Sequence, residues 1–162
     1  MWRRKTAACL AILALLGAEA RATTTTLNMT VQMTITASCT IGSASTLNFG
    51  SSGLIAANVD QTSTVQVQCT NTTPYNIGLD AGTGSGATVA ARKMTNGAAT
   101  VTYSLYSDSG RTTVWGNTIG SNTVSSTGTG SSQSFTVYGR VPAQSTPAPA
   151  LYTDTVTVTV TY

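Results

Sequence analysis

The 162 residues contain no histidine. That removes the usual general base, the imidazole half of every Ser-His or Cys-His pair, and the commonest metal ligand. The groups left that could do chemistry are sparse. Of three cysteines, Cys9 lies in an apolar N-terminal run, leaving Cys39 and Cys69, and no C-x-x-C spacing marks a redox pair. Asp60, Asp80, Asp108 and Asp154 are scattered, so a glycosidase-like carboxylate pair would have to be assembled by the fold. Gly82-Thr83-Gly84-Ser85-Gly86 has the glycine content of a phosphate loop without the following Lys-Ser/Thr or a helix, and reads as a flexible turn. No serine sits in a G-x-S-x-G setting. Tyr103, Tyr106, Trp115 and Tyr138 could line a sugar site, although packing within sheets is the plainer use of them. The expectation is a protein with no catalytic residue, no cofactor and no metal, and not an enzyme.

The N-terminus explains both the compartment and the charge. Met1 to Lys5 is basic, Ala7 to Leu16 is apolar but too short to span a bilayer, and A-x-A sites follow at 18–20 and 20–22. This predicts a signal peptide over 1–22, cleaved before Arg21 or Thr23. No other stretch is apolar enough to cross a membrane, so no membrane insertion is expected after cleavage. The formal charge of +3 belongs to the leader: Arg92, Lys93, Arg111 and Arg140 remain against the four aspartates. A neutral mature chain gives no basis for nucleic-acid binding, and low net charge favours association. In an exported protein, Cys39 and Cys69 are read as a disulfide, with a chain-entropy contribution of roughly 3.5 kcal/mol.

The rest of the chain reads as strands and turns. Leu27, Met29, Val31, Met33 and Ile35 alternate without a break with Asn28, Thr30, Gln32, Thr34 and Thr36. Such period-2 alternation predicts a strand with one face to bury. Ile41 to Phe49 is interrupted by Gly42 and predicts a bend or bulge. Thr62 to Cys69, Tyr75 to Leu79, Thr88 to Met94, Thr100 to Tyr106, Thr112 to Trp115 and Ser134 to Val141 follow as strands. Asn96-Gly97 marks a hairpin turn, and the Gly/Ser/Thr-rich stretch 116–134 is expected to be the longest loop. Pro142 to Pro149 is excluded from any sheet interior. Tyr152 to Tyr162 alternates as cleanly as the first strand, with Val156, Val158, Val160 and Tyr162 on one face. Short strands with turns between them predict an all-β sandwich, immunoglobulin-like in architecture.

Several segments together carry a family resemblance. They are Cys39-Thr40-Ile41, Leu47-Asn48-Phe49-Gly50, Val65 to Cys69, Tyr103-Ser104-Leu105-Tyr106 with Arg111-Thr112, and Tyr138-Gly139-Arg140-Val141-Pro142. The most specific is the terminal YTDTVTVTVTY, residues 152–162. Over essentially the whole mature chain, this pattern resembles the spore coat protein U domain, a family that includes the major pilins of archaic chaperone–usher pili. The resemblance implies an incomplete immunoglobulin-like β-sandwich completed by a donor strand from a neighbouring subunit. Residues 23–36 would be the donor extension and 37–162 the pilin domain. Leu27, Met29, Val31, Met33 and Ile35 would be the donor side chains. Val156, Val158, Val160 and Tyr162 would form the edge of the acceptor groove, and Cys39–Cys69 would tie the first strand to the second. The implied partners are neighbouring copies or related pilins, a periplasmic chaperone and an outer-membrane usher. The implied place is the cell surface, reached through the periplasm, with adhesion and biofilm formation as the role. A spore or cyst coat protein of the same family, and a monomeric secreted carbohydrate-binding module, are the alternatives.

Overall fold

The computed structural model describes residues 21–162, so the predicted signal peptide falls outside the described residues apart from Arg21 and Ala22. The chain divides into residues 1–34 and residues 35–162. The described part of the first unit, 21–34, carries no helix, strand or turn, and every residue in it is exposed.

The second unit is all-β, with no helix among the described residues. Its strands are β1 (Cys39–Ala44), β2 (Val59–Cys69), β3 (Pro74–Leu79), β4 (Arg92–Asn96), β5 (Ala99–Tyr106), β6 (Val124–Thr127), β7 (Ser132–Val141) and β8 (Val158–Thr161). They form a five-stranded sheet in the order β1-β2-β7-β5-β4 and a three-stranded sheet in the order β6-β3-β8. All pairings are antiparallel.

Period-2 patterning accounts for the core. Val65, Val67 and Cys69 of β2, Tyr75, Ile77 and Leu79 of β3, Val101, Tyr103 and Leu105 of β5, and Val137 and Val141 of β7 are all buried. Alternate residues on a strand share a face, so each set turns the same way, while Ser104, on the other face of β5, is buried as well and donates its hydroxyl to the Ala90 carbonyl. Trp115 completes the core and donates its indole N–H to the Ile77 carbonyl at 2.8 Å. Gly139 interrupts the β7 pattern for a reason of space: a Cβ there would stand 2.7 Å from Leu47 Cδ1 and 2.9 Å from Phe49 Cζ.

Local details refine the sequence reading. The register of β1 on β2 shifts between Ile41 and Ser43, which makes Gly42 a bulge residue. The hairpin between β4 and β5 closes Asn96 on Ala99, with Gly97 at φ 56°. The central pair is therefore Gly97-Ala98, one residue later than an Asn-Gly turn, and a positive φ at its first position marks type II′. Thr112 to Trp115 forms one bridge, Tyr106 to Val114, and no strand. The loop expected over 116–134 contains β6, which pairs with β3. With one apolar residue in Val124-Ser125-Ser126-Thr127, β6 has no periodicity to read, and its partner strand decides it. The clean alternation over 152–162 shortens to Val158–Thr161.

Candidate functional site: an open strand edge

The three-stranded sheet ends at β8, which pairs with β3 on one side only. Hydrogen-bond alternation fixes which backbone groups are left over. The Asp80 N–H donates to the Thr157 carbonyl at 3.1 Å, and Thr159 and Thr161 stand opposite Gly78 and Asn76. In an antiparallel ladder, hydrogen-bonded pairs alternate with non-bonded ones. Thr157, Thr159 and Thr161 therefore turn their backbone groups to β3, whereas Val158 and Val160 turn theirs to the open edge. The side chains alternate as well: Val158 and Val160 are half-buried against the core, and Thr159 and Thr161 are exposed. Open backbone groups beside apolar side chains make this edge a template for another strand.

A buried polar cluster holds the segment leading into β8. Arg92 is 0% exposed. Its guanidinium donates to the carbonyls of Asp80 (2.7 Å), Val89 (2.7 Å), Leu79 (3.0 Å) and Trp115 (2.8 Å). Burial lowers the Arg92 pKa, while Tyr103, Asp80 and Asp154 act to raise it. Asp154 accepts from the Thr83 N–H and hydroxyl, from its neighbour Thr155 N–H, and from the Tyr103 hydroxyl at 2.8 Å. Burial, and then that hydrogen bond, push the Tyr103 phenol far above its ordinary value. Asp80 accepts from the N–H groups of Gly82 and Thr157, both at 2.9 Å. Carboxylates thus take amides that a regular ladder would use, which is why the strand begins only at Val158. At its start, the same segment bridges Thr153 to Thr95 of β4, so it passes from one sheet to the other.

Burial acts to raise the Asp80 pKa, but hydrogen bonds from Thr157 and Gly82 and the Arg92 charge outweigh it, and the net shift is downward. A carboxyl with a lowered folded pKa contributes stability that is full above the unfolded value and is lost as pH falls through the folded one. We expect the thermal midpoint to fall on acidification below the ordinary carboxylate range, and Asp80→Asn to flatten part of that decline. Midpoints of both proteins between pH 7 and 2 check this. A midpoint that rises on acidification would contradict it.

Across from β8, the five-stranded sheet ends at β1, and the two edge strands come close. Cys39 and Cys69 form a disulfide between β1 and β2, at paired positions in the ladder. Ile41, opposite the fully buried Val67, is nevertheless 42% exposed, so the core-side face of β1 lacks a cover. The chain is also pinned just before β1. The Thr70 N–H donates to the Ser38 carbonyl at 2.9 Å, and the Thr70 hydroxyl accepts from the Ser38 N–H at 3.0 Å. That hydroxyl lies 3.2 and 3.3 Å from the carbonyls of Ser38 and Thr36.

Among the residues expected at the groove edge, β8 holds Val158 and Val160. Val156 is half-buried just before the strand, and Tyr162 is 60% exposed just after it. Leu27, Met29, Val31, Met33 and Ile35 are 67% to 96% exposed and belong to no sheet. Sequence reasoning missed Arg92, Asp80, Ile41 and Thr70. Ile41 could have been found, since it falls two residues after Cys39 on the same face. Of the aromatic residues that could have lined a sugar site, Tyr103 and Trp115 are core, and Tyr106 and Tyr138 are half-buried.

The described residues thus form an all-β unit with a cross-strand disulfide and an unpaired edge strand. The chain belongs to the spore coat protein U domain family, whose model matches residues 25–159. It is 36% identical over 158 residues to "Protein U" of Myxococcus xanthus, with 88% of each chain covered. Its fold is similar to that of a chain in the crystal structure of the chaperone–tip adhesion subunit pre-assembly complex of the archaic chaperone-usher Csu pili of Acinetobacter baumannii. That match has a TM-score of 0.57 and 25% identity over 80% of this chain, and it spans 40% of the solved chain. Family and fold are those of structural pilus and coat proteins.

Proposed function

We propose that this protein is a structural subunit of a secreted surface pilus, polymerised by donor-strand exchange and serving adhesion and biofilm formation. In this reading, residues 23–36 of one copy supply the strand that β8 lacks in the next. Leu27, Met29, Val31, Met33 and Ile35 fill the cleft beside Val156, Val158, Val160 and Tyr162. The observation that carries the reading is the pairing of two incomplete features in one chain: an alternating segment outside any sheet and an edge strand with open backbone groups. Strand addition satisfies both, with main-chain bonds giving affinity and alternate side chains giving register. A periplasmic chaperone would hold the groove before assembly and an outer-membrane usher would exchange it. The solved pre-assembly complex supports the chaperone step.

Chain geometry supports exchange between copies over insertion of a chain's own segment. β1 and β3 both run away from the Cys39–Cys69 end, and β8, antiparallel to β3, runs back toward it. A strand antiparallel to β8 is thus parallel to β1. Its last residue would lie a strand's length from its own Cys39, whereas Thr36–Ser38 span at most about 11 Å. The opposite orientation would need a tight hairpin through Thr36-Ala37, because Ser38 is already held by Thr70. The two-residue turns that match strand twist place a positive φ at the first central residue, here Thr36, which a β-branched residue resists.

The test is native mass and heat resistance of the mature chain with and without residues 23–36. Heat-resistant multimers from the full chain, and a labile monomer rescued by added 23–36 peptide from the truncated one, are expected. Two equally stable monomers would overturn the reading. A coat protein is the second reading, favoured by the family itself and by the likeness to Protein U. It uses the same polymer and differs in where the polymer is deposited, so immunogold labelling of vegetative cells against spores or cysts separates the two.

A further inference from the structure

The end of the domain opposite the disulfide carries two exposed leucines, and the direction of strand insertion says what covers them. β2 and β8 run toward the Cys39–Cys69 end, and β7 and β3 run away from it. At the far end, the loop before β2, the loop after β7 and the β4–β5 hairpin gather. There the Ile55 N–H donates to the Thr146 hydroxyl, the Gln144 N–H to the Ile55 carbonyl, and the Asn96 side chain to the Leu151 carbonyl. Leu54 and Leu151 lie in this group of loops, 77% and 78% exposed. The disulfide end is built from two small polar turns, 70–73 and 128–131, that hydrogen-bond to each other and to the end of β2. The Thr72 N–H donates to the Gly128 carbonyl, the Gly128 N–H to that of Thr73, and the Gly130 N–H to that of Cys69.

We infer that Leu54 and Leu151 form a subunit contact, covered in the fibre by the 70–73 and 128–131 turns of the copy that donates its strand. The inference rests on the donor-strand reading above and adds a surface to it. A strand inserted antiparallel to β8 enters beside Tyr162 and leaves at the end where Leu54 and Leu151 lie. The donor strand ends at Thr36 and the donor's Ser38 is held by its Thr70, so two residue steps join the inserted strand to the donor's own domain. Two extended residues span about 7 Å, so the donor's disulfide end is drawn against the leucines of the acceptor. Their own domain leaves these two leucines uncovered, and the polymer supplies the cover. The facing turns have no charge and small side chains, so nothing charged is desolvated there.

The experiment places photo-reactive benzoylphenylalanine at Leu54 or at Leu151 of the full mature chain, with Ser125 on β6 as a control position. Cross-links are made in heat-resistant multimers and mapped by mass spectrometry. Products joining position 54 or 151 to residues 69–73 or 128–131 of another copy are expected, in at least tenfold greater yield than from position 125. Multimers that form but cross-link elsewhere, or equally from position 125, overturn the contact and leave strand exchange standing. If no multimers form from the unsubstituted chain, both readings fail together.

Discussion

An equimolar mixture of two crippled chains should yield dimers and nothing longer. The first chain, Val31→Asp with Met33→Asp, has a ruined donor strand and an intact groove. The second, Val160→Pro, has an intact donor strand and a blocked groove. Val160 turns its backbone groups to the open edge, as the alternation against β3 requires, so proline removes an edge donor without taking a bond from the existing ladder. Neither variant alone can propagate: each loses one half of a head-to-tail contact, and a heterologous contact grows only when every copy has both halves. The size of the effect follows from burial. Five apolar side chains moving from exposure to a groove are worth about 7–15 kcal/mol gross, comparable with the whole stability of a domain at about 5–15 kcal/mol. Two buried carboxylates would cancel most of that gain. Native mass spectrometry of the two variants and their mixture reads the outcome directly. Multimers from either variant alone, or a mixture with no dimer, would contradict head-to-tail exchange.

Much of this was legible in the sequence because strands announce themselves by period two. The buried sets on β2, β3, β5 and β7 are the ones the alternation picks out, and the disulfide joins the two cysteines that remain once the predicted signal peptide is set aside. What was not legible depends on partners distant in sequence. β6 is a strand only because β3 offers it an edge. The C-terminal strand is shorter than its pattern because the carboxylates of Asp80 and Asp154 take the amides of Thr157 and Thr155. Arg92 sits in a weakly patterned stretch and gives no local sign of burial. The four carbonyls that hold it come from two other segments, Leu79-Asp80 and Trp115, and from Val89 in the turn just before β4.

The open edge and the buried cluster are parts of one arrangement. β8 can present Val158 and Val160 because the preceding residues are fixed by side chains and not by a second strand. A strand with partners on both sides would leave no groove, and one with no fixed approach would fray at its start. The Asp80 and Asp154 bonds supply that fixed approach, and Arg92 anchors the loop carrying Asp80 beneath it.

Arg92→Met should therefore be the most damaging single substitution in the core. Methionine fills much of the volume but donates nothing, so the carbonyls of Leu79, Asp80, Val89 and Trp115 lose their shared donor. Each unsatisfied buried acceptor costs about 1–3 kcal/mol. These costs overlap because one side chain serves all four, and a total of about 3–5 kcal/mol is expected, in line with breaking a buried charge arrangement. Arg92→Lys keeps the charge, but an ammonium cannot fork to four carbonyls, so it should recover only part of the loss. The damage should also show at the edge. With the loop carrying Asp80 loosened, the bonded amides of Thr155, Thr157, Thr159 and Thr161 should exchange faster in the methionine variant, whereas those of β2 and β7 stay protected until global unfolding. Urea unfolding of the oxidised protein gives the stability loss, and hydrogen exchange locates it. A loss below about 1 kcal/mol, or faster exchange spread evenly over all strands, would show that Arg92 does not anchor the approach to β8.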